Sequence, residues 1–421
     1  MKLSDRDKAH IWHPLTQHKT ALPPIGIVKA KGALLWDEAG NEYIDGIASW
    51  YTAMYGHSHP QLVDAVTTQM KELDFVMFSG FTHEPAVQLS EKLMEILPGN
   101  QQKIFFNDNG STAVEAAIKM ALQYHHNAGD KRDTLIAFEN GFHGDTFGAM
   151  SASGLSSYNG PFEDFLLKVI RLPTPQADNL DEVLQKLETT LTQNSCAAFI
   201  FEPLAQGAAG MKFHSAEGLD AIIKRCQEAE VLCIADEIMT GFGKTGTNFA
   251  CDQLQHKPDM MCLSKALTAG MFPLSITSCT QKVFDSFLSE DVHKGFFHAH
   301  TFSAHPLGCA AAIAGIALLN SAEILEQRKH IANSHKQFAE KIANHSKIKQ
   351  VRCKGVILAL DLNVEMERYG NLRDELYQFF MERGVALRPL GNTVYVLPPY
   401  VITEKQLQKV YDTIEEALAT L

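Results

Sequence analysis

The chain has 421 residues, 45% of them hydrophobic and 20% charged, with a formal net charge of −12. That length is too great for one simple core and calls for at least two structural units. The acidic balance argues against a general nucleic-acid binder or a polybasic membrane-surface protein, because phosphate-rich partners need a positive face.

The opening MKLSDRDKAHIWHP is charged and lacks the apolar core of a signal segment, so a cytoplasmic protein is the expectation. Residues 27–46, IVKAKGALLWDEAGNEYIDG, read as strands joined by a turn at Glu38–Asn41. QLVDAVTTQMKEL (61–73) and EPAVQLSEKLMEIL (84–97) have helical spacing. KIFFND (103–108) reads as a short strand and TAVEAAIKMALQYHHNAG (112–129) as a helix with a glycine stop. TLIAFEN, FLLKVIRLP, AAFIFEPL, VLCIADEI, MMCLSK and LSITSCT follow as apolar runs, several of them separated by helices such as DNLDEVLQKLETTLTQ and GLDAIIKRCQEAE. Strand–helix alternation with continuously apolar strands predicts a mostly parallel sheet covered by helices on both faces. Later the rhythm shifts. VILALDLN, VALRPL and TVYVLPPYV read as strands, and 371–383 and 403–420 as helices, which suggests a smaller α+β unit. The expected division is a large unit over 48–319 and a small one formed by both ends, 1–47 and 320–421. Eight cysteines, none in a C-x-x-C pair, sit mostly in apolar runs and read as small buried hydrophobes.

In open α/β sheets ligands sit beyond the carboxyl ends of the strands. After KIFFND stands Asn109-Gly110-Ser111 at a helix start, where a serine can cap and free amides suit a phosphate. After TLIAFEN stands Gly141-Phe142-His143-Gly144-Asp145, whose aromatic suits stacking on a flat ligand. AAFIFEPL carries Glu202 and VLCIADEI carries Asp236, and a carboxylate ending an apolar strand needs a cationic or hydrogen-bonded partner. MMCLS ends at Lys265, the only charged side chain between Met260 and Gln281. Each feature alone has a plain reading: a capped helix, a core phenylalanine, an ordinary salt bridge, a lysine reaching for water along its own stem. Together they supply a phosphate anchor, a ring stacker, a carboxylate for a ring nitrogen and an amine for an aldehyde. Pyridoxal 5′-phosphate needs all four, and a buried lysine loses its charge readily enough to form an imine.

FNDNGSTAVEAAIKMA, NGFHGDTFGAMS, FIFEPLAQGAAGM, LCIADEIMTGFGKTG, LSKALTAGMFPLS and HTFSAHPLGCAAA together resemble the class III aminotransferases, pyridoxal-phosphate enzymes of fold type I. IWHPLTQHK, ASWYTAMYGHSHPQL, MFSGFTHEPAVQL and LRPLGNTVYVLPPYVI are similar to the branch of that family that works in biotin synthesis. This resemblance implies amino transfer from S-adenosylmethionine, or lysine, to 8-amino-7-oxononanoate, giving 7,8-diaminononanoate in a ping-pong sequence. It implies a cytoplasmic homodimer with shared active sites, acting on small molecules, with no nucleic acid, membrane or metal involved. Gly110, Ser111, Phe142 and Asp236 would hold the cofactor, with His300 and Thr301 reaching its phosphate from the other subunit. Lys265 would be the Schiff-base lysine. Trp50, Leu15, Phe142, Ala299, Lys265 and Arg388 would contact substrates, Arg388 through the keto acid's carboxylate, which its fork suits. The family often has tyrosine where this chain has Leu15 and Phe142, and some members have arginine where it has Lys244.

Three rival readings remain open at this point. One is another class III aminotransferase acting on ornithine, 4-aminobutyrate or a diamine. The second is a metal-dependent hydrolase built on the 18 histidines, although no H-E-x-x-H occurs. The third is a relative that binds without catalysing.

Overall fold

The computed structural model describes residues 2–154, 159–365, 368 and 370–421. Its centre is a seven-stranded sheet in the order Gln101–Asn107, Ser275–Thr280, Met260–Leu263, Leu232–Asp236, Cys196–Phe201, Thr134–Phe138, Val169–Leu172. Met260–Leu263 and the four strands that follow it in this order pair in parallel. Ser275–Thr280 runs antiparallel to both of its neighbours, a reversal that its apolar sequence does not announce. Apolar runs specify burial on both faces but carry no mark of direction. The reversal follows from the short return after Met260–Leu263, which has no room for a crossover helix.

Side chains alternate cleanly across this sheet. Phe138, Phe199, Phe201, Cys233, Met261 and Leu263 enter the core on one face. Ala137, Ala198, Ile200, Ile234, Met260 and Cys262 enter the core on the other, against Ala113, Ala117, Ile118 and Ala121 of the helix Gly110–Asn127. On the first face the rings of Phe199 and Phe201 stack at 4.8 Å, and Phe138 meets Phe199 edge-on at 5.2 Å. Burying each such side chain stabilises the fold by about 1.5–3 kcal/mol.

A second sheet runs Ile27–Lys31, Leu34–Asp37, Glu42–Asp45, Val385–Ala386, its last two strands parallel. The two ends of the chain are thereby joined in one sheet. VALRPL contributes only Val385–Ala386 to it, since Leu387 N turns back to donate to Val385 O at 3.2 Å and the chain leaves the ladder there. A three-stranded antiparallel sheet, Ile348–Lys354, Ile357–Leu362, Thr393–Val396, is backed by the long helix Ala322–Ile342. Neither Ala322–Ile342 nor the apolar helix Pro306–Leu319 was placed by the sequence reading. Among the described residues no single helix is long and apolar enough to cross a membrane.

One local element breaks the ordinary rules. Ala48, Ser49, Trp50 and Tyr51 all have positive φ, from 45° to 69°, and form a single left-handed helical turn without a glycine. Tyr51 N donates to Ile47 O at 2.9 Å, and Thr52 N to Ala48 O at 2.9 Å. For L-residues this handedness costs about 1–2 kcal/mol each, so neighbouring structure must impose it.

Candidate active site

Five strand ends open onto one cavity of about 540 Å³. Leu15, Trp50, Gly110, Ser111, Phe142, Asp236, Lys265 and Arg388, scattered through the sequence, all line it.

The helix Gly110–Asn127 presents its N-terminus to this cavity. Asn109, not Ser111, is the cap: its side chain accepts from Thr112 N at 3.1 Å, and Thr112 Oγ1 accepts from Asn109 N at 3.1 Å. Ser111 is left for other work, and its Oγ bonds Thr146 Oγ1 at 2.7 Å and accepts from Thr146 N at 3.0 Å. Gly144, at φ 132°, crosses so close to Ser111 that any Cβ there would overlap it. The positive end of the helix makes this corner an anion site.

Asp236 ends its strand 3% exposed. Its Oδ2 lies 2.8 Å from His143 Nδ1 and its Oδ1 accepts from Ile238 N at 3.1 Å. A carboxylate oxygen accepts, so the His143 tautomer with its proton on Nδ1 suits this contact. The His143 amide is fixed in turn by Ser153 Oγ at 2.9 Å. Glu202, also buried, spans two loops of the site, its Oε2 accepting from Phe142 N and its Oε1 from Gly207 N, each at 3.0 Å. Burial pushes the Glu202 carboxyl up to about 7, and Asp236 adds to the rise while His143 and the two amides oppose it.

Lys265 follows the strand Met260–Leu263 with φ 48°, a strained conformation for a side-chain-bearing residue. Its Nζ lies 5.4 Å from the centroid of the Tyr51 ring. Burial lowers its pKa, against the pull of Asp236 and Glu202. The amine therefore yields its proton more easily than an ordinary lysine does. Tyr51 in turn packs on Tyr395, ring centroids 5.7 Å apart. At the outer wall the Arg388 guanidinium stands 5.6 Å from the Trp50 ring centroid and has no ion-pair partner among the described residues.

Ala299, His300 and Thr301 are not brought to this cavity. Ala299 and Thr301 are exposed, while His300 lies 3.1 Å from His298 Nε2 and 4.0 Å from an Asp108 oxygen. Conversely, Tyr51, His143, Glu202, Arg368, Arg373 and Tyr395 line the cavity without having been assigned to it from sequence. Glu202 and His143 stood in strand-end motifs and could have been nominated there. Arg368 and Tyr395 arrive through long-range packing that no local pattern signals. Among the described residues no group of three or more metal-ligating side chains converges.

A family model described as aminotransferase class-III matches residues 16–418. The chain is 43% identical over 418 residues to the adenosylmethionine-8-amino-7-oxononanoate aminotransferase of Synechococcus elongatus, covering 97% of this chain and 98% of that one. The crystal structure of the enzyme of that name from Methanocaldococcus jannaschii superposes with a TM-score of 0.94 at 32% identity, over 99% of this chain and 98% of that one. An amine transaminase from an uncultivated Pseudomonas species, solved in its PLP-bound form, superposes with a TM-score of 0.91 at 26% identity, over 97% of this chain and 98% of the other. With strand-end lysine, buried aspartate and helix N-terminus gathered in one cavity, and a family match over nearly its whole length, the chain belongs to the class III aminotransferases.

Proposed function

We propose that this chain is a pyridoxal-phosphate enzyme that moves an amino group from S-adenosylmethionine to 8-amino-7-oxononanoate, giving 7,8-diaminononanoate for biotin synthesis. The observation that carries the cofactor is Asp236, a buried carboxylate fixed by His143 and the Ile238 amide and sharing one cavity with Lys265. The cavity's volume also falls within the range usual for small-molecule sites, about 300–1,000 Å³.

When bound, pyridoxal phosphate supplies an aldehyde that takes up amines and a protonated ring that draws electrons from the α-carbon. Gly110 and Ser111 would hold the phosphate at the helix N-terminus, aided by His300 and Thr301 of a second copy. Asp236, held by His143 and the Ile238 amide, would accept the ring N–H. Phe142, held in place through its amide by Glu202, would stack on the ring. Lys265 would be the amine that takes up the aldehyde, and its lowered pKa would suit it to move a proton at the substrate's Cα as base, then acid. Arg388 pairs the keto acid's carboxylate, with Trp50, Leu15 and Ala299 completing the substrate walls. The protein works as a cytoplasmic homodimer whose sites both subunits complete. Residues 48–319 form the cofactor unit, and 1–47 with 320–421 the smaller one. The names borne by the relatives support the substrate, and Arg388, beside Trp50 and without an ion-pair partner among the described residues, supports the carboxylate.

The test is spectroscopic. Purified, cofactor-loaded protein is mixed separately with S-adenosylmethionine, lysine, ornithine and 4-aminobutyrate, and then with the keto acid. S-adenosylmethionine should bleach the cofactor band and 8-amino-7-oxononanoate should restore it. Bleaching by lysine alone overturns the donor, and no recovery with that keto acid overturns the biotin-pathway reading.

A further inference from the structure

The left-handed turn Ala48–Tyr51 delivers three cavity residues, Ser49, Trp50 and Tyr51, and its conformation needs an external cause. That cause stands three residues upstream. Asp45 is 1% exposed, and its Oδ2 receives the Ser49 hydroxyl and His57 Nε2, each at 2.8 Å. Its Oδ1 accepts from Ile47 N at 3.2 Å. Asp45 therefore grips the turn at its entrance and at its first exposed residue. His57, the third member, is itself anchored. Its amide and carbonyl exchange hydrogen bonds with Gly32 at 2.8 and 2.9 Å, in the turn between Ile27–Lys31 and Leu34–Asp37. The clamp is thus fixed to the sheet as well as to the turn, where His57 Nε2 also stands 3.3 Å from Ser49 Oγ.

The same carboxylate sits at the root of the opposite wall. Asp45 is in register with Ala386 in the parallel pair Glu42–Asp45 and Val385–Ala386, and Arg388 follows two residues later. Gly46 N donates to Ala386 O at 3.2 Å, and Gly46 O accepts from Leu397 N at 2.9 Å. Trp50 and Arg388 are far apart in sequence, yet both are positioned from this one strand end. An ordinary right-handed turn over the same residues would aim Trp50 and Tyr51 elsewhere. The strained handedness is what sets their direction.

We propose that Asp45 is a positioning residue of the active site, clamping the left-handed turn through Ser49 and His57 so that Trp50 stays against Arg388. The inference rests on the reading of Arg388 and Trp50 as the keto-acid wall. Asp45 touches neither substrate nor cofactor. It acts on the affinity for the carboxylate-bearing keto acid and much less on the donor half of the cycle, whose groups stand on the central sheet.

Two readings test this. Trp12 and Trp36 are the only other tryptophans, so Trp12→Phe/Trp36→Phe leaves Trp50 as the sole emitter. In cofactor-free protein of that background, Asp45→Asn should lower Trp50 anisotropy and raise its acrylamide quenching. In loaded protein Asp45→Asn should raise KM for the keto acid by about tenfold, as loss of a hydrogen bond to a charged group does. The donor half-reaction should change much less. In a Trp50→Ala background Asp45→Asn should add nothing further to KM. Unchanged Trp50 anisotropy, or a full KM effect on top of Trp50→Ala, overturns the proposal. If Asp45→Asn does not fold, Ser49→Ala, which keeps the Asp45–His57 contact, decides by the same two readings. If Trp50→Ala and Arg388→Lys themselves leave the keto-acid KM unchanged, the substrate reading falls, and the anisotropy still decides whether Asp45 holds Trp50.

Discussion

Lys265 answers a question that its own neighbours pose: one cation among methionine, cysteine and leucine at the end of a strand. Replacing it with alanine should lower turnover by at least about a thousandfold, the scale of lost proton transfer and covalent anchoring, with melting temperature unchanged or raised. Steady-state rates and thermal melts of the cofactor-loaded protein check this. His143→Asn, which removes the Nδ1 donor from Asp236, should cost roughly ten- to a hundredfold in turnover, read at saturating cofactor. A second buried lysine behaves differently. Lys244 is wholly buried, donates to Gly241 O at 3.0 Å, and is pushed down to about 7 by burial and by Lys265, with Glu237 opposing. Its folded pKa lies below the usual 10.5, so between pH 7 and 10.5 the unfolded chain binds more protons and stability rises with pH. Lys244→Met should therefore compare better with the wild-type chain at pH 6 than at pH 9, measured by chemical denaturation at both. Lys265 and Asp236 were legible because a charge in an apolar run has few explanations. His143 and Glu202 were visible as residues but not as partners, because the contacts that define them join strand ends remote in sequence.

At the scale of elements, the corner between the Gly110–Asn127 helix and the Gly144 loop is the most sensitive to a small change. Gly144→Ala places a methyl against Ser111 and demands φ 132° of a side-chain-bearing residue. It should weaken cofactor binding at least tenfold, roughly 1.4 kcal/mol, read by titrating cofactor into stripped protein, with a smaller loss of thermal stability. Helix and strand existence was readable wherever periodicity ran long, as over 61–73, 84–97 and 403–420, which the structure realises as Pro60–Glu72, Glu84–Ile96 and Glu404–Thr420. The direction of Ser275–Thr280 was not readable, since alternation of side chains is the same in either sense. Nor was the left-handed turn, whose sequence Ala-Ser-Trp-Tyr contains none of the glycines or asparagines that mark positive φ.

Taken as one molecule, the chain builds its active cavity from both of its ends and its middle. Leu15 comes from a segment whose first helix, Leu3–His10, buries no residue, while Arg388 comes from the pairing of Val385–Ala386 with Glu42–Asp45. Deleting residues 2–24 should shift the melting temperature by only a few degrees, as loss of a weakly packed segment does, yet raise KM several-fold by removing the Leu15 wall. Parallel melts and saturation curves separate the two effects. The alternation of apolar strands with helices foretold the class of fold, but which remote strands would meet depended on packing that is decided globally. The eight cysteines carry a last consequence. All are free, seven are buried and only Cys353 is partly exposed. Burial pushes the Cys196, Cys279 and Cys353 thiols up to about 11, and that of Cys309 to about 12, so reactive thiolate is scarce in the native chain. The molecule thus holds its own reporters of opening: alkylation followed by mass spectrometry should mark Cys353 first. The order in which the other seven take up label should then trace which layers come apart before the whole chain does.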